Sequence, residues 1–267
     1  MIKAPKRTVA VCRNAKGKVV STVLAGKGRL QRHWGWRLPL VRGVISLGEL
    51  LGTGMRALSW SANQQAEKEE KLSAWHLALT MAFSIGLAVV LFIVLPYYLT
   101  RFFTQQHDVW FNLLDGVFRL VIFLAYIMLI GLMPDVKRLY QYHGAEHKAV
   151  HCYEAGLPLT VKNVRFFSPC HPRCGTSLIV FVIIISIIVF SLVRLDAWYW
   201  NLLIRILLLP VVAGLSYEAL KLTARFAHHD WLSWLTWPGI GVQKITTAEP
   251  DARQIDVAIA AVKKAVR

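Results

Sequence analysis

Ser177-Leu178-Ile179-Val180-Phe181-Val182-Ile183-Ile184-Ile185-Ser186-Ile187-Ile188-Val189-Phe190 forms the centre of a run, Thr176 to Leu195, with no charged residue before Arg194. Roughly 20 mostly apolar residues are needed for a helix to cross about 30 Å of hydrocarbon, and this run is apolar on every face. It therefore reads as a membrane span. Trp75 to Leu99 carries the same signal, with no Lys, Arg, Asp or Glu. Two less pure runs extend the pattern: Leu113 to Met133, which contains Arg119, and Asn201 to Leu220, which contains Arg205, Pro210 and Glu218. Charged exceptions inside a span mark function or snorkel to the interface, and four spans are expected. The two arginines stand about six residues inside the external ends of their spans, roughly 9 Å deep, so snorkelling is the expectation for both.

The composition agrees. Of 267 residues 55% are hydrophobic and 17% charged, against about 25% charged in an average globular protein. Disordered, collagen-like and disulfide-framework classes are excluded, the last because Cys12, Cys152, Cys170 and Cys174 are too few. The net charge of +16 is distributed unevenly. Residues 1–74, 134–175 and 221–267 hold 14, 6 and 7 Lys or Arg, whereas the two intervening connections hold only Arg101 and Arg194. By the positive-inside rule both termini and the 134–175 loop lie in the cytoplasm. The expected location is a membrane crossed several times, without a cleaved signal peptide, since a long basic segment precedes the first apolar stretch near Leu38.

Outside the spans, Thr8 to Cys12 and Lys18 to Leu24 read as a hairpin turning at Asn14 to Gly17, a small cytoplasmic β element within residues 1–37. Leu38 to Trp60 is interrupted by Arg42, Glu49, Arg56 and four glycines. It is expected to be an interfacial or re-entrant helix within 38–74, with a fifth span as the alternative. The membrane domain then covers 75–220. In the cytoplasmic segment 221–267, Ile255, Ile259, Val262 and Val266 recur at helical spacing after Pro250, as in a short amphipathic helix. His228 and His229, with Trp231, Trp234 and Trp237, read as an interfacial anchor. The fold class is mainly α, a polytopic membrane protein with about four transmembrane helices.

The chemistry concentrates in the 134–175 loop, where Tyr142-His143-Gly144-Ala145-Glu146-His147-Lys148 continues through His151-Cys152-Tyr153-Glu154. On a helix, His143, His147 and His151 fall at about 0°, 40° and 80°, Glu154 near 20° and Glu146 at about −60°. Histidines one turn apart can share a tetrahedral ion. His143-x-x-Glu146-His147 matches the inverted zinc-peptidase order, with two zinc ligands and a glutamate base. The bland alternative is a solvated amphipathic face. His171 and Cys174 follow in Ser168-Pro169-Cys170-His171-Pro172-Arg173-Cys174-Gly175, which returns ligand-type side chains to the membrane surface. Glu218, at the cytoplasmic end of the fourth span, is expected at a depth similar to His143. It is either a third ligand or the ion-pair partner of Arg225, Lys221 or an arginine of the interfacial helix.

The chain resembles the YqhQ-like family of bacterial membrane proteins. The resemblance rests on Tyr142 to Lys148, His151 to Glu154, His171-Pro172-Arg173-Cys174-Gly175-Thr176-Ser177, Arg42-Gly43-Val44, Ser216-Tyr217-Glu218, Pro238-Gly239, Gln243-Lys244, Thr246-Thr247 and Glu249-Pro250. Cys170 falls outside that pattern. The resemblance implies a polytopic protein of a group labelled a domain of unknown function and predicted to be a metal-dependent enzyme.

The leading expectation is a metal-dependent hydrolase using a divalent ion, zinc first. Ligands would be His143 and His147 completed from Glu218, His151, His171 or Cys174, with Glu146 as the base. The competing expectation is a non-catalytic factor in membrane-protein biogenesis or lipid organisation. Its basic cytoplasmic face would hold a ribosome, a translocon or anionic lipid, and DNA is not an expected partner.

Overall fold

The computed structural model describes residues 1–4, 7–25, 34–65, 74–104, 109–171, 174–193, 197–226 and 236–266. Alternating β-branched residues build the N-terminal hairpin, β2 (Thr8–Arg13) against β3 (Val19–Ala25), to which β1 (Ile2–Lys3) adds an antiparallel edge. The turn closes because the Asn14 side chain accepts from Lys18 N at 2.9 Å and Gly17 takes φ +76°, a conformation that suits glycine. The hairpin at Asn14 to Gly17 is where the sequence places it.

A helix of 25 residues, α1 (Val41–Gln65), follows. A continuous apolar helix then runs from α2 (Ala74–Val89) through a π-helical turn at Val90–Val94 into α3 (Leu95–Phe103). After α4 (Val109–Ile130) come the histidine helix α5 (Pro134–Glu154) and the short α6 (Val161–Arg165). The rest is α7 (Ser177–Ser191), α8 (Trp198–Leu207), α9 (Leu209–Phe226), α10 (Trp237–Thr246) and α11 (Ala252–Val266).

Among the described residues, two helices are long and apolar enough to cross a membrane, Ala78–Phe103 and Trp110–Ile130. The first leaves Phe83, Ile85, Leu87 and Val90 exposed, as a hydrocarbon-facing surface would. A third candidate is the pair Tyr199–Leu207 and Leu209–Thr223, bent by 46°. Pro210 explains that break, since its ring meets the carbonyl one turn earlier and it has no N–H to donate. The helix at Ser177–Ser191 is shorter than the expected 20-residue run. Its 15 residues extend only about 22 Å at 1.5 Å per residue, because the helix begins after Gly175 and stops at Ser191. Among the described residues, two to three apolar helices of spanning length therefore stand where the sequence suggests four.

Two cores divide the interior. Ala145, Ala149 and Cys152 on α5 face Ile255, Ala258, Ile259 and Val262 on α11, with Val164 of α6. The small side chains let the two helices approach closely, and α11 also packs on β2. The C-terminal amphipathic helix thus buries its apolar stripe in this head. In the apolar bundle Phe123 and Ile127 of α4 meet Val180 and Ile183 of α7, and Val242 of α10. Helix α1, expected to be interfacial or re-entrant, packs on α9. At that crossing a Cβ on Gly43 would lie 2.9 Å from Gly214 Cα, so only glycine allows it.

Arg119 and Arg205 do not snorkel. Both are buried and share Asp115 Oδ2, at 2.9 Å from Arg119 and 2.7 Å from Arg205. Arg205 also donates to Asn112 Oδ1 and Arg119 to Ser186 Oγ, while the aromatic faces of Tyr97, Phe111 and Phe190 cover the guanidiniums. A carboxylate one turn before Arg119 gives both cations a partner inside the bundle, which outweighs reaching for the surface. His228, His229, Trp231 and Trp234 lie outside the described residues.

Candidate metal centre

Helix α5 starts at Pro134, with Asp135 in its first turn, and carries His143, His147 and His151 along one side. Two other segments lie against that side. Gly144 admits the first, because a Cβ there would stand 2.3 Å from the Ala248 carbonyl oxygen. The chain leaving α10 therefore lies directly on α5, where His143 Nδ1 donates to the Thr246 carbonyl at 2.9 Å and Ala248 N donates to the Tyr140 carbonyl at 3.0 Å. The second segment is the stretch leading to α7. Its Pro169 carbonyl accepts from His147 Nδ1 at 2.6 Å, and its Cys170 carbonyl accepts from His151 Nε2 at 2.9 Å.

These carbonyls decide what each imidazole offers. A carbonyl can only accept, so His143 and His147 carry their protons on Nδ1 and turn Nε2 toward the site. Cys174 Sγ lies 3.3 Å from His143 Nε2, and the two rings are 4.4 Å apart between centroids. Ligand atoms of His143, His147 and Cys174 lie within 4.8 Å of one another. A second group, His151, Glu154 and His171, meets the same limit. The His171 ring stands between the groups, 5.9 Å from His147 and 4.4 Å from His151.

Electrostatics bind the first group. Burial alone would push the Cys174 thiol up, but hydrogen bonds and charge from His143 and His147 bring it from 9.0 down to about 5. Burial likewise opposes protonation of His143. The Cys174 sulfur and the Thr246 carbonyl nevertheless hold its imidazole above the usual value. Burial, and then the His151 ring, keep His171 below the ordinary histidine range despite Glu154 beside it.

The structure thus brings together His143, His147 and Cys174, and separately His151 and His171. Glu218 belongs to neither group. Both of its carboxylate oxygens take the Arg42 guanidinium, the ion-pair alternative open to it from the sequence, because α1 packs alongside α9. Glu146 is in neither group either, and its carboxylate takes up the Met1 amino group. Cys170 offers its carbonyl to His151, and its sulfur lies 4.0 Å from Thr247 Oγ1.

Three contributors are invisible to a reading by ligand type. Fully buried Gln243 grips the His171 backbone from both sides, accepting from its N–H at 2.7 Å and donating to its carbonyl at 3.0 Å. Lys148, also buried, donates to Glu249 and to the Arg165 carbonyl, fastening the segment after α10 to α5. Gly239 lets α10 seat against Ser177, where any Cβ would stand 2.2 Å from the hydroxyl oxygen. The sequence signal for all three is their place within the quoted motifs.

Two imidazoles with fixed tautomers and a thiolate form a donor set suited to zinc, and three protein donors are the usual number in catalytic zinc sites. The residues present fit such an ion. No solved structure matches this chain. A relative from Bacillus subtilis (strain 168), described as "Uncharacterized protein YqhQ", is 34% identical over 251 residues, 86% of this chain and 78% of the relative. The family model described as "Protein of unknown function (DUF1385)" matches residues 38–267, spanning the apolar helices, the histidine helix and the Gln243 clamp, and the chain belongs to that family.

Proposed function

We propose that the chain is a metal-dependent hydrolase of the bacterial inner membrane, with a divalent ion of the zinc class held by His143, His147 and Cys174. The observation carrying this reading is the pair of backbone carbonyls, Thr246 and Pro169, that turn both Nε2 atoms toward one thiolate. An ion bound there supplies Lewis acidity to a water or a substrate oxygen. The chain's own part is to fix the tautomers and to hold the donors at the end of the apolar bundle. Glu146 serves as base in this scheme only after releasing the Met1 amino group. The distribution of Lys and Arg supports cytoplasmic termini and a cytoplasmic site.

Metal analysis of protein purified in detergent without chelator tests the reading. At least about one zinc-class ion per chain is expected, and less than about 0.2 would overturn it. A second reading follows from the 3.3 Å contact between His143 Nε2 and Cys174 Sγ, with the Thr246 carbonyl orienting the ring. That is the arrangement of a thiol nucleophile with its base. Metal-free protein as purified, with Cys174 alkylated rapidly by iodoacetamide, would favour it over the metal site.

A further inference from the structure

We propose that His151, Glu154 and His171 form a second divalent-cation site, beside the first along α5 and with donors of its own. The proposal rests on the metal reading of the first group, yet it stands on separate geometry. His151 and Glu154 are three residues apart on α5, so both project from one face, and the ligand atoms of the three residues lie within 4.8 Å of one another. The Cys170 carbonyl accepts from His151 Nε2 at 2.9 Å, which leaves Nδ1 with its lone pair. Opposite, His171 Nε2 lies 3.3 Å from Glu154 Oε2, and Gln243 fixes the His171 backbone at both polar atoms. Glu154 is the last residue of α5, so the partial negative charge of the helix C-terminus adds to its carboxylate and favours a cation.

Two imidazoles and a carboxylate make a harder donor set than two imidazoles and a thiolate. Both suit zinc, but the carboxylate site should exchange its ion more readily and accept cobalt or manganese. With His171 between the groups, the centre becomes a pair of neighbouring ions, an arrangement found in hydrolases that clamp both oxygens of a displacement. The competing account of the second group is a plain histidine–glutamate ion pair.

Cobalt loading of the purified full chain tests this. About two ions per chain are expected, with a thiolate-to-cobalt charge-transfer band from the first site alone. Glu154 is at the helix end and partly exposed, so E154Q should fold and hold about one ion with the band retained. H151Q should do the same, while C174S should lose the band. About one ion in the unaltered chain with the band present, or no change in E154Q and H151Q, overturns the second site and leaves the first. One ion without the band overturns the first site instead. Loss of all metal from the unaltered chain overturns both.

Discussion

Cys174 and His143 face each other with the thiol held at about 5 against an ordinary 9.0, and that displacement is directly measurable. Because hydrogen bonds and charge from the two imidazoles lower it against the opposing effect of burial, the thiolate should persist at neutral pH in chelator-treated protein. Its ultraviolet absorbance should disappear only as the pH falls through about 5. In H143Q one of the two donors is gone, and the titration should move back toward the ordinary value. A midpoint that does not move would show that His143 does not stabilise the thiolate. Gln243 makes a different residue-scale prediction. Gln243→Leu leaves the His171 N–H and carbonyl buried without their clamp, costing about 1–3 kcal/mol in a thermal melt. As an outer support of a proposed ligand, its loss should weaken metal retention by about 10- to 100-fold.

At the scale of elements, the Asp115 carboxylate of α4 takes Arg205 of α8, while the Arg119 guanidinium that it also pairs donates to Ser186 of α7. Asp115→Asn removes the shared charge and leaves Arg119 and Arg205 facing each other while buried. The cost should reach about 3–5 kcal/mol in a detergent melt. Ser186→Ala, which removes one neutral acceptor, should cost about 1 kcal/mol. Equal effects would show that the ion pair does not hold these helices. This triad also shows where sequence reading stops. The histidine helix was legible because a spacing of four residues is a local property. The hairpin was legible because turn chemistry lies within a few residues. Position along the spans, however, leaves Glu218 open between a ligand and an ion pair, and its pairing with Arg42 of α1 is decided only by a crossing that Gly43 and Gly214 permit. The snorkelling expected of Arg119 and Arg205 fails because it treats each span alone. Asp115 stands one turn before Arg119 on α4, a local spacing, but that it also takes Arg205 depends on α8 meeting α4, which no single-helix pattern encodes.

For the whole molecule, the charge asymmetry and the apolar helices make one joint statement about orientation. Reporter fusions at the C-terminus and after Gln65 should both give cytoplasmic readouts, while a fusion at Val193 should report the opposite side. A periplasmic signal from the C-terminus would reverse the placement of the metal centre. The separation into a head built by α5, α6, α11 and the sheet, and a bundle built by α4, α7 and α10, gives the chain two cores joined at the site itself.

The carbonyl of Thr246 and the side chain of Gln243 come from α10, 103 residues after the His143 ring and 72 residues after the His171 backbone that they hold in place. During N-to-C synthesis the imidazoles and the thiol of Cys174 therefore emerge before the groups that set the His143 tautomer and clamp the His171 backbone. A nascent chain halted before α10 has the donors but not their full geometry, and so the proposed centre matures only once α10 has been made.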